Sequence, residues 1–62
     1  MKIEIAIAYS TENKTFVVTS VEIAQAMLFR GNQYGFNRAV TFPQSGVVGM
    51  RETMLANGFS PI

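Results

Sequence analysis

The sequence contains no cysteine, no histidine, no tryptophan and no aspartate, and each absence removes a class of chemistry. Without cysteine there is no disulfide to staple a small fold. A structural metal would have only four scattered glutamates as charged ligands, so no metal site is expected. The side chain most often used for general acid–base catalysis is missing. Ser10, Ser20, Ser45 and Ser60 have no histidine to activate them, and Lys2 and Lys14 form no serine–lysine motif. A pair of glutamates could in principle cleave a glycoside, but a 62-residue chain cannot build the cleft that chemistry needs. The expectation is a protein that is not an enzyme and takes no cofactor.

Charge is also scarce. Charged residues make up 15% of the chain, against about 25% in an average soluble domain. With 48% of its residues hydrophobic, the chain has ample apolar surface to bury, which excludes disorder. A surface poor in charge suits a protein that covers part of itself with a partner. The net charge of +1 argues against an acidic DNA mimic and is too small for non-specific binding through phosphate neutralisation. No stretch approaches the roughly 18 apolar residues of a membrane span, and Lys2 with Glu4 interrupts a signal-peptide reading. With Met1 running straight into a strand, the expectation is a complete cytoplasmic protein with no membrane association.

Residues 1–62 allow one small domain with one core. A domain of this size buries only about 60% of the surface its unfolded chain exposes. With disulfides and metals removed, good packing or self-association has to compensate, and a homodimer is the favoured expectation.

What is present gives the elements. Residues 2–9 alternate, with Ile3, Ile5, Ile7 and Tyr9 on one face and Lys2, Glu4, Ala6 and Ala8 on the other. That period and the β-branched residues predict a strand facing a core on one side. Ser10 to Lys14 is a polar connector, followed by a strand over Thr15–Thr19 with Phe16 and Val18 inward. Pairing Tyr9 with Phe16 sets Ile7 opposite Val18, so the apolar faces match across a hairpin. Thr19-Ser20-Val21-Glu22 reads as a capping box with Thr19 as the N-cap. The helix then runs to about Arg30 and stops at Gly31, with Ile23, Ala24, Met27 and Leu28 buried and Val21 and Phe29 off that face. Asn32 to Asn37 reads as a loop by composition, or as the tip of a strand. Arg38–Phe42 predicts a third strand ended by Pro43, with Val40 and Phe42 inward. Ser45 would cap a second helix over about 46–56, with Val47, Met50 and Met54 on one stripe and Leu55 beside it. Gly58 stands where a left-handed C′ residue belongs, and Phe59 can pack back on Met54. The fold class is therefore α+β: a three-stranded sheet with two helices packed on one face, in the order β-β-α-β-α.

Three groups of residues invite a functional reading. Ser45-Gly46-Val47-Val48-Gly49 resembles a phosphate loop only in its glycines. It lacks the lysine and the spacing, so a helix entry whose glycines allow close packing is the better reading. Arg30, Tyr34, Phe36 and Arg38 form the candidate partner-binding group, because arginines interleaved with aromatics occur at protein–protein hot spots and on nucleic-acid stacking platforms. The bland alternative is a loop whose Tyr34 and Phe36 fold back over the sheet while the arginines stay solvated. Finally, two helices on one face would leave the flat face of Ala6, Ala8 and Val17 open. That face and Phe29 are the candidate self-association residues.

In size and style, as a very short cysteine-free domain with no catalytic set, the chain resembles the small accessory proteins of phages that disable a host enzyme or defence complex. That resemblance covers no motif and assigns no residue. The functional expectation is a non-catalytic binding protein, possible as a phage-type inhibitor, acting on a macromolecular protein partner. The alternative is a small dimeric nucleic-acid-binding regulator using Arg30, Arg38 and the neighbouring aromatics. A structural or assembly subunit is the third reading.

Overall fold

The strongest local pattern, the alternation over residues 2–9, falls largely on an inner strand of the sheet. The computed structural model describes residues 4–62; the expected placement of Ile3 on the inward face lies outside them. Strand β1, Glu4–Ser10, pairs antiparallel with β2, Thr15–Ser20, and the register sets Tyr9 opposite Phe16 and Ile7 opposite Val18. The hairpin was legible because only that register keeps the large side chains of both strands on one side. Its four-residue turn closes with the Lys14 N–H donating to the Ser10 carbonyl at 3.0 Å, and Lys14 adopts a left-handed φ of 58°.

The helix α1, Val21–Arg30, follows β2 directly. Its N-cap is Ser20, whose Oγ accepts from the Ile23 N–H at 3.2 Å, and not Thr19. The helix begins at Val21, one residue later than the capping-box reading requires, so the residue immediately before it is Ser20. After the loop, β3, Arg38–Pro43, returns antiparallel to β1, with Ala8 opposite Ala39 and Ile7 opposite Val40. A single 3₁₀ turn, Gln44–Gly46, leads into α2, Val47–Ala56. Gly46 is the N-cap and no side chain caps the helix, so the expected Ser45 cap is not made. The C-terminus of α2 is as expected. Gly58 takes φ +89°, its N–H donates to the Leu55 carbonyl at 3.1 Å, and the Phe59 N–H donates to the Met54 carbonyl at 3.0 Å. These are the paired bonds of a Schellman stop.

That stop aims the chain back at the sheet, and Ser60–Pro61 adds β4, parallel to β2. The Ser60 N–H donates to the Lys14 carbonyl at 2.8 Å and the Ile62 N–H to the Phe16 carbonyl at 3.1 Å. The sheet therefore has four strands in the order β3-β1-β2-β4, not three. A two-residue strand containing proline gives no periodicity to read.

The helices lie on opposite faces, which corrects the one-sided arrangement expected from sequence. On one face Ala6, Ala8 and the half-buried Val17 and Ala39 pack with Val21, Ala24 and Met27 of α1 and with Phe36. On the other, Ile7, Phe16, Val18, Val40 and Phe42 pack with Met50 and Met54 of α2 and with Phe59. Topology explains why. The connection β2-α1-β3 crosses the sheet in one direction and β3-α2-β4 crosses it in the other. Two crossovers of the same hand running in opposite directions must use opposite faces.

The flat alanine face is thus a core face. Ala6 and Ala8 are 0% exposed, so the expected self-association surface of Ala6, Ala8 and Val17 is already occupied by α1. Their small side chains let the helix approach closely, with the equally small Ala24 at the contact. The helix sits on Val21, Ala24 and Met27, so Val21 is on the inner face and Ile23 and Leu28 are outside it.

Candidate functional site

Three places merit functional scrutiny: the aromatic–arginine loop, a hollow beside α2, and the outer face of α1. The loop is organised by one side chain. Asn32 Nδ2 donates to the carbonyls of Met27 (3.3 Å) and Phe36 (3.0 Å), while Oδ1 accepts from the N–H groups of Tyr34 (3.1 Å) and Phe36 (2.9 Å). All four hydrogen-bonding capacities of the amide are used. The loop is then sewn to the β1–β2 turn. Asn13 Nδ2 donates to the Tyr34 carbonyl at 3.3 Å, Asn37 Nδ2 donates to Thr11 Oγ1 at 3.0 Å, and the Thr11 N–H donates to Asn37 Oδ1 at 3.3 Å. The buried Ser10 supports that turn by accepting from the Asn13 N–H at 3.0 Å.

This construction divides the expected partner-binding group. Phe36 is buried in the alanine-face core and is not available to a partner. The α1-side layer needs a large apolar plug at its edge, because the sheet contributes only alanines and a valine there. Tyr34 stays partly exposed and lies against Phe36, with ring centroids 5.3 Å apart and planes tilted 31°. Arg30 and Arg38 are exposed, at the end of α1 and the start of β3 respectively. The bland reading therefore describes Phe36 and both arginines, and Tyr34 in part.

The hollow beside α2 has a volume of about 400 Å³ and is lined by Tyr9, Lys14, Val40, Met50, Met54 and Phe59, among others. Its wall is held together by aromatic contacts. Tyr9 meets Phe59 edge to face with centroids 5.6 Å apart, and Lys14 Nζ lies 5.0 Å from the centre of the Phe59 ring. It holds no nucleophile paired with a base. Among the described residues, no three metal-ligating side chains come together, and no helix is long and apolar enough to cross a membrane.

On the outer face of α1, Phe29 is 92% exposed, while Ile23 (52%) and Leu28 (39%) lie at the two edges of the buried stripe. Glu22 stands in the first turn and Arg30 in the last, each at the helix end whose dipole favours its charge. A shallow hollow of about 680 Å³ lies along Glu22, Gln25, Ala26, Leu28, Phe29 and Arg30. Of the expected self-association residues, only Phe29 is in position to meet another molecule. The sequence pointed to Phe29 because it falls off the buried stripe. Ile23 and Leu28 were missed, because a wide apolar stripe does not say which edge of it faces the sheet.

The chain matches no protein-family model, no curated protein and no solved structure.

Proposed function

We propose that this chain is a non-catalytic domain that works by binding another protein through the outer face of α1. The observation that carries this reading is Phe29, held almost wholly in water on a helix whose opposite side is packed. Burying a phenylalanine side chain is worth about 1.5–3 kcal/mol, and the fold leaves that gain uncollected. Single exposed apolar residues are ordinary; at 92%, Phe29 is the most exposed large hydrophobic side chain among the described residues.

The nucleic-acid reading is less well supported. A stacking platform needs exposed ring faces, and Phe36 is buried. The two cations of that reading, Arg30 and Arg38, are exposed, but a net charge of +1 is small for phosphate neutralisation. The test is capture by the tagged protein from lysate of its native host, compared with Phe29→Glu and Val48→Glu. Val48 is an exposed residue of α2 and controls for charge alone. The expected result is a protein partner lost with Phe29→Glu and kept with Val48→Glu. Capture unchanged by Phe29→Glu, or capture of nuclease-sensitive material that is lost at high salt, would overturn the proposal.

A further inference from the structure

The outer face of α1 carries a pattern of residues that is symmetric about its middle. Along an α-helix, Glu22, Ala26 and Phe29 fall within an arc of about 60°, centred roughly opposite Ala24. Glu22, Ala26 and Arg30 also form one row of residues spaced by four. Such rows interdigitate in the commonest class of helix–helix packing, with axes crossing at about −50° and 8–10 Å apart. That approach requires a small residue at the crossing point, and Ala26 is the middle of the row.

The sequence around Ala26 is complementary to itself when reversed. Position 26 is the midpoint between 22 and 30. If two α1 helices cross antiparallel about a two-fold axis at Ala26, Glu22 of each copy meets Arg30 of the other. The two-fold keeps each residue on its own flank of the crossing, so the two Phe29 rings meet each other on one side of Ala26. Opposite charges thus face opposite charges at both ends, and the most exposed apolar side chain is covered by its own copy. A two-fold interface demands this self-complementarity, because the same patch serves both sides.

We propose that the protein covering the outer face of α1 is a second copy of this chain, docked antiparallel with Ala26 at the two-fold axis. The proposal rests on the reading of α1 as a protein-binding face and names its partner. A ten-residue helix is about 15 Å long, and one such contact buries less than the roughly 800 Å² per partner of a standard stable interface. The dimer is therefore weak, dissociating in the range of about 10–100 µM. The alanine face beneath α1 takes no part in it.

Sedimentation equilibrium of the purified chain, from micromolar to about 1 mM, tests the proposal, with circular dichroism to verify the fold of every variant. Wild type is expected to show a reversible monomer–dimer equilibrium. Glu22→Arg and Arg30→Glu are each expected to weaken it about tenfold, because like charges then meet across the axis. The double variant Glu22→Arg/Arg30→Glu is expected to recover dimerisation to within about threefold of wild type, since the pairing is restored with its signs exchanged. Phe29→Glu is expected to give a folded monomer. A strictly monomeric wild type at 1 mM, or a double variant no better than the singles, overturns the proposal. If the chain is monomeric yet Phe29→Glu still abolishes capture of a different protein, the second copy is refuted and the protein-binding reading stands.

Discussion

Replacing Asn32 with alanine removes all four hydrogen bonds that shape the loop after α1. The Tyr34 N–H is exposed and can turn to water, so its loss costs little. The other three bonds are partly buried, and two of them satisfy the backbone of Phe36, whose side chain plugs the alanine-face core. At about 1 kcal/mol net for each partly buried bond, Asn32→Ala is expected to cost about 3 kcal/mol. A chain of this length has about 3–9 kcal/mol of total stability, so the loss is a third of it or more. At about 4–8 °C per kcal/mol, the melting temperature should fall by roughly 12–24 °C. Asn32→Asp separates donors from acceptors. It keeps oxygens for the Tyr34 and Phe36 N–H groups but sets an anion against the Met27 and Phe36 carbonyls, so it should recover no more than about 1 kcal/mol. Urea denaturation followed by far-UV circular dichroism gives the three stabilities. An Asn32→Ala variant within about 0.5 kcal/mol of wild type would refute the claim that this side chain holds Phe36 in place.

Ser20→Ala should cost about 1 kcal/mol through loss of the α1 cap, and Thr19→Ala should cost less, because the Thr19 hydroxyl does not cap; the reverse order in denaturation midpoints would restore Thr19 as the cap. Gly58→Ala should cost about 1 kcal/mol from its positive φ alone, since no atom lies within 4 Å of the added Cβ. Gly35→Ala should cost about 2 kcal/mol, because strain at φ +77° combines with a Cβ placed 2.9 Å from Asn13 Nδ2; equal losses at the two sites would mean that the turn yields freely. Ala8→Glu should leave the chain unfolded by circular dichroism at any concentration, because it buries a carboxylate under α1; a folded monomer would show that the alanine face can open.

The hairpin and its register were legible because alternating large β-branched residues allow a single matched pairing. The ends of α1 and α2 were nearly legible for the same kind of reason, since Gly31 and Gly58 stand where the chain needs backbone that other residues resist. The sidedness of the sheet was not legible. A face of alanines reads as weakly apolar and open, yet Ala6, Ala8 and Ala24 are buried together beneath α1. Which faces the helices took depended on strand order, and strand order depended on β4, two residues with no pattern of their own. For the site, Phe29 was visible as a residue without an internal position. The fate of Phe36 was hidden because it depends on hydrogen bonds from the Asn32 side chain, which no spacing rule reports.

Site-specific photo-cross-linking of the purified protein asks whether α1 meets a second chain. A benzophenone amino acid in place of Phe29 projects from the face proposed to be covered. The same group in place of Val48 projects from α2 on the far side of the sheet and is 66% exposed in the free chain. Irradiation at about 100 µM, in the range expected for the dimer, should give a covalent dimer from position 29, with the adduct mapping to residues 25–29 of the second chain. Position 48 should give none. No dimer from position 29, or equal yields from 29 and 48, would contradict the assignment of the outer face of α1 as the contact surface.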